Sequence, residues 1–147
     1  MILQIAIGTV LILFSVLVGA LGALAIEMAL ARWHDWLMRE PHRLKVVLVV
    51  VFVSLCVLAV VTIGVWTWAI VLDLLGIFST HEEAVYFALV SFTTLGFGDV
   101  LLPVEWRILG AMAAANGLLT FGLMTAFLVE ALRHVRLGQF ESRRKSG

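Results

Sequence analysis

Apolar residues run through three long stretches, 2–26, 46–72 and 108–129, none of which contains an Asp, Glu, Lys or Arg. At a rise of about 1.5 Å per residue, each is long enough to cross the roughly 30 Å of hydrocarbon in a bilayer. A fourth apolar run, 84–98, is too short to cross. Its last residues, Thr93, Thr94, Leu95, Gly96, Phe97 and Gly98, form with Asp99 a polar and glycine-rich segment set between two hydrophobic runs. The pattern predicts the order helix, helix, half-helix, loop, helix.

That loop is the most informative part of the chain. Unpaired backbone groups are too costly in hydrocarbon, so irregular chain at membrane depth must be buried in protein or face a polar path. Glycines alternating with bulky residues permit positive φ at Gly96 and Gly98. Successive carbonyl oxygens then turn to one side and form a ladder of ligands for a dehydrated cation, to which the Thr94 hydroxyl adds one more oxygen. The half-helix before the loop has a readable start. Ser79 or Thr80 caps it, and Glu82 or Glu83 three residues on completes a capping box. Capping and solvation account for those two acids better than contact with a permeating ion.

Composition changes the picture from local to global. The chain of 147 residues is 63% hydrophobic and 14% charged, with a mean hydropathy of +1.11, far from any soluble domain of that length. Its charges are unevenly placed. Arg32, Arg39, Arg43 and Lys45 follow the first run, and Arg133, Arg136, Arg143, Arg144 and Lys145 follow the third, whereas Asp73, Glu82, Glu83, Asp99 and Glu105 face a single Arg107 elsewhere. The positive-inside rule puts the basic ends in the cytoplasm and the N-terminus outside. The acidic group then forms an outer collar that concentrates cations. Trp33 and Trp36 are expected at the inner interface, and Trp66, Trp68 and Trp106 at the outer one. The small residues Gly19, Ala20, Gly22 and Ala23 also suit a signal-peptide cleavage site, but no basic region precedes them and the apolar run is long. Ser15, Gly19 and Ala23 instead offer one face for close helix packing.

The segment Thr94-Leu95-Gly96-Phe97-Gly98-Asp99 resembles the selectivity filter of potassium channels, with the Gly-Phe-Gly-Asp form found in the two-pore group. The resemblance spans 84–128 and implies an all-α membrane protein of three transmembrane helices plus a re-entrant pore helix and filter loop, assembled as a tetrameric pore. It divides the chain into an extra helix at 1–31, a cytoplasmic linker at 32–45, a pore module at 46–132 and a basic tail at 133–147. Within the module lie an outer helix at 46–72, the pore helix at 81–93, the filter at 94–99 and the inner helix at 104–132. Potassium is implied as the permeant ion at Thr94, Leu95, Gly96 and Phe97, with Gly98 completing the filter. Thr93, Asp99, Tyr86, Phe87, Val90 and Ser91 would support it, and no further cofactor is implied. One chain supplies one loop, so a homotetramer is the simplest closure. The family pattern turns Leu118, Phe121 and Thr125 toward a vestibule, with Gly117 as a bending point and Gly122 allowing close approach. Ordinary packing in lipid is the alternative for each.

Two departures bear on function. Leu95 stands where valine or isoleucine is usual, and Phe97 replaces tyrosine, so its ring has no hydroxyl to tie the filter to the pore helix. With Val90 in place of an acid, a filter held mainly by packing is expected. At the other end, Glu130 has Arg133 and His134 at helical neighbour spacing. Glu130 and His134 form a candidate inner gate responsive to cytoplasmic pH, against the plainer alternative of an interfacial snorkelling cluster. No repeated arginines suggest a voltage sensor, and no nucleophile–base pair, phosphate loop or zinc-ligand spacing supports an enzyme. Asn116 is expected to bond a neighbouring helix, and Cys56 to fill space. The expected partners are further copies of the chain and the bilayer of the plasma (inner) membrane, with anionic lipid drawn to the basic segments. No nucleic acid is implied.

Overall fold

The computed structural model describes the backbone of residues 1–37 and 42–146, and their side chains except at 35, 42, 43, 134, 135 and 138–146. Among the described residues every regular element is helical: α1 (Ile2–Arg32), α2 (His34–Leu37), α3 (His42–Leu74), α4 (His81–Phe92), a 3₁₀ turn at Val104–Trp106, and α5 (Arg107–Ser146). Ile2–Arg32, Leu44–Leu74 and Val104–Arg133 are each 30 or 31 residues long and apolar enough to cross a membrane. Helices satisfy their own backbone hydrogen bonds, which is why charge-free runs of this length take this form in lipid. The chain is an all-helical membrane protein. Arg39 and Pro41 of the linker, the side chains of His42 and Arg43, and those of Arg143, Arg144 and Lys145 in the tail lie outside the described residues.

α1 packs along α5. Gly8 meets the Met112 side chain, Ser15 accepts a hydrogen bond from Asn116 Nδ2 at 2.8 Å, and Gly19 lies against Met124. The residue numbers rise together, so the two helices run parallel. The small-residue face of α1 thus has the close packing that its spacing suggested, and Asn116, buried at 1% exposure, bonds a neighbouring helix as expected. Thr120 donates back to the Asn116 carbonyl at 2.9 Å. Lower down, Ile26 and Leu30 of α1, Val49 and Val53 of α3, and Ala131 of α5 form one apolar cluster.

α3 ends in a left-handed glycine turn. Gly76 has φ 64°, its N–H donates to Asp73 O, and the Ile77 N–H reaches back to Leu72 O, which satisfies carbonyls that the helix end leaves open. After this turn α4 descends between α3 and α5. Ala84, Ala88 and Phe92, spaced by four, are its buried face, and Ala88 and Phe92 join a core with Trp68, Leu72, Leu109 and Ala113. Trp68 is therefore no interfacial anchor: it is fully buried, whereas Trp66 is 53% exposed. α3 is apolar on every side, so its pattern does not separate a lipid-facing tryptophan from an inward one.

Candidate functional site

The start of α4 fixes where the loop begins and ends. Thr80 is extended at φ −136°, and its hydroxyl accepts the Glu83 N–H at 3.2 Å. The Glu83 carboxylate accepts the Ser79 N–H at 3.2 Å. Thr80 and Glu83 thus cap the helix in a variant of the capping box, with the carboxylate on the amide one residue before the cap. Twelve residues later the helix runs out, and its last carbonyls take up the first amides of the loop. Thr93 N–H donates to Leu89 O, Thr94 N–H to Ser91 O, and the Leu95 and Gly96 N–H groups both to Val90 O. The Thr93 hydroxyl adds bonds to Leu89 O at 2.7 Å and Val90 O at 3.4 Å. Val90 and Ser91 support the loop through their carbonyls, a role that side-chain identity does not reveal.

The amides of Thr94, Leu95 and Gly96 thus point back to α4, and the oxygens of the loop are left over. Among the described residues, no N–H or hydroxyl donates to the carbonyls of Thr94, Leu95, Gly96, Phe97 or Gly98. Gly96 has φ 55° and Gly98 φ 78°, the left-handed values that alternating glycines permit. Thr94 joins them at φ 61°. In extended chain carbonyls alternate from side to side, and reversing handedness at every second residue brings them to the same side. A non-glycine residue at positive φ is strained by about 1–2 kcal/mol, and such strain gathers at functional sites. Its sequence signal was the two-residue period of 94, 96 and 98. All five residues are exposed, Leu95 at 61% and Phe97 at 67%.

Packing alone does not hold the loop. Tyr86 Oη donates to Asp99 Oδ2 at 2.5 Å, and the Val100 N–H donates to Asp99 Oδ1 at 3.0 Å. The missing hydroxyl at Phe97 is answered by one on α4 that reaches the aspartate two residues further on, a polar tie that the expectation of a filter held mainly by packing did not include. The bond from Tyr86 holds the Asp99 carboxyl below its ordinary range, and the same bond pushes the Tyr86 phenol up. Phe87 stacks on Phe78 at 5.3 Å rather than reaching the loop through a polar group.

Beneath the loop, α5 comes as near as backbone allows. A Cβ on Gly117 would stand 1.7 Å from the Phe92 carbonyl oxygen, so this glycine supplies the close approach expected of Gly122, whose own Cβ direction is open. The Phe92 ring, against Gly64 and 6.2 Å from Phe121, completes the contact. Phe92 was not singled out in the sequence, where it reads as one more apolar residue. Leu118, Phe121 and Thr125 lie exposed on one face of α5. Glu130 is thirteen residues beyond Gly117, about 20 Å along the helix, and pairs loosely with Arg133 at 3.9 Å with both side chains 69% exposed. The side chain of His134 lies outside the described residues. Among the described residues no group of three or more His, Cys, Asp or Glu could hold a metal.

A short helix, a loop of unbonded carbonyls and three membrane-length helices define a membrane protein with an exposed array of carbonyl oxygens. Residues 57–134, just over half of the chain, match a family described as ion channel, and the protein belongs to that family. No curated protein and no solved structure matches the chain significantly. The match takes in the second half of α3, α4, the loop and most of α5, and leaves α1 and α2 outside it.

Proposed function

We propose that the protein is a potassium-selective channel that conducts K⁺ passively across the plasma membrane as a homotetramer. The run of five unbonded carbonyls, turned by positive φ at Thr94, Gly96 and Gly98, carries this reading. Four such strands around an axis would replace the water of a dehydrated ion at Thr94, Leu95, Gly96 and Phe97. α4 and the loop would then be re-entrant, with the acidic residues around Asp99 at the outer mouth. The basic residues after α1 and along the end of α5 favour a cytoplasmic C-terminus and an external N-terminus.

Flux from purified protein in liposomes tests the reading. Potassium-dependent, barium-sensitive flux is expected, and Gly96→Ala should abolish it by placing a Cβ at φ 55°. Equal flux in that variant, or none in the parent, would remove the loop from the pathway. A weakly selective monovalent cation channel is the second reading, favoured by the bare Phe97 ring. A reversal potential near zero under opposed K⁺ and Na⁺ would select it. A non-conducting accessory subunit would give no flux at all.

A further inference from the structure

At the end of the bundle away from the loop, α1, α2 and the first turns of α3 enclose a cavity of about 590 Å³, lined almost wholly by carbon from Leu30, Trp33, Trp36, Leu37, Leu48 and Phe52. That volume falls within the roughly 300–1,000 Å³ of ligand sites. The cavity lies outside the stretch matched by the channel family. Trp33, Trp36 and Leu48 are each about half exposed, so the space opens sideways. Two basic residues adjoin its lining tryptophans. Lys45 is buried with its ammonium 4.7 Å from the Trp36 ring centre and bonded to the Trp36 carbonyl. Arg32, next to Trp33, is exposed at the end of α1.

The membrane spans end at Arg32 and begin again at Leu44, which sets the opening at the depth where tryptophan and lysine gather between hydrocarbon and headgroups. Water needs two to four polar partners to occupy such a space, and this wall offers almost none. Hydrocarbon tails are the solvent on its open side. We propose that this corner is a lipid site, in which an acyl chain of an anionic phospholipid fills the cavity and its phosphate lies beside the exposed Arg32 at the end of α1. The inference rests on membrane insertion of α1 and α3, and not on potassium selectivity.

Native mass spectrometry of the full-length protein, released from vesicles of phosphatidylglycerol or phosphatidylcholine, tests it without any flux measurement. Phosphatidylglycerol should be retained about fivefold or more over phosphatidylcholine, the weight of one basic residue at an anionic surface. Leu48→Trp, which places an indole in the cavity from a half-exposed position, should remove both retained lipids and leave the oligomer mass unchanged. Arg32→Gln should lower only the preference for phosphatidylglycerol, by about fivefold. Undiminished retention in Leu48→Trp, or equal retention of the two lipids by the parent, overturns the proposal. A smaller oligomer mass in Leu48→Trp would assign the cavity to a second copy of the chain and overturn it equally.

Discussion

Among the described glycines, Gly117 has the least room for a side chain. Its missing side chain lets the α5 backbone touch the Phe92 carbonyl, and a methyl group there would collide with main chain rather than with a side chain able to turn away. Gly117→Ala should therefore destabilise by at least the roughly 1–3 kcal/mol of an overpacked core, read as a lower melting temperature in detergent. Gly122→Ala, directed into open space, should not lower it. An unchanged melting temperature for Gly117→Ala would show that the two helices separate freely. Tyr86 makes a different contribution, because its phenol is the polar tie between α4 and the far end of the loop. The Asp99 carboxyl is held low, so its share of the tie is present above the ordinary carboxylate range and lost as pH falls through the lowered value. The Tyr86 phenol is held high, so its share is present below the ordinary phenol range and lost as pH rises through the raised value. Potassium-over-sodium flux in low potassium should stay level through neutral pH and decline in acid below the ordinary carboxylate range. Tyr86→Phe should lower it at every pH and remove the acid decline; an acid decline that persists in Tyr86→Phe would locate the titrating group elsewhere.

The elements were legible to different depths. Charge-free runs longer than a bilayer announce α1, α3 and α5, and the Thr80–Glu83 box announces the start of α4, because both signals are local. The Tyr86–Asp99 bond spans thirteen residues across a loop, and the Gly117–Phe92 contact joins two helices, so neither has a local signature. Burial is equally hidden in α3. Lipid is as apolar as the protein interior, which leaves no periodicity to distinguish Trp68 from Trp66. The seam between α1 and α5 lies between these cases: the spacing of Ser15 and Gly19 marks a contact face, but not which helix it meets. Ser15→Ala removes the acceptor of the buried Asn116 amide. It should cost about 1 kcal/mol, in keeping with hydrogen bonds between membrane helices, and the melting temperature of Asn116→Ala should then respond less in the Ser15→Ala background than in the parent. Additive losses would show that the pair contributes nothing as a pair.

On the scale of the whole molecule, α1 is more than an appendage to the matched region. It covers Met112, Asn116 and Met124 of α5 and shares a cluster with α3. A chain truncated to begin near Trp36 should keep its ion preference, because among the described residues no hydrogen bond joins α1 to the loop, yet it should melt at a lower temperature as those α5 side chains lose their neighbours. Reversal potentials and thermal unfolding measured on one preparation separate the two effects. A truncated protein as stable as the parent would refute the stabilising role of α1, and one that assembles but loses selectivity would tie α1 to the pore. The parallel seam also constrains mechanics. Gly8, Ser15, Gly19, Ile26 and Leu30 brace α5 from Met112 to Ala131, like a splint beside a rod. Kinking α5 at a single glycine would prise the splint away, whereas swinging both helices as one stiff lever leaves every contact between them in place.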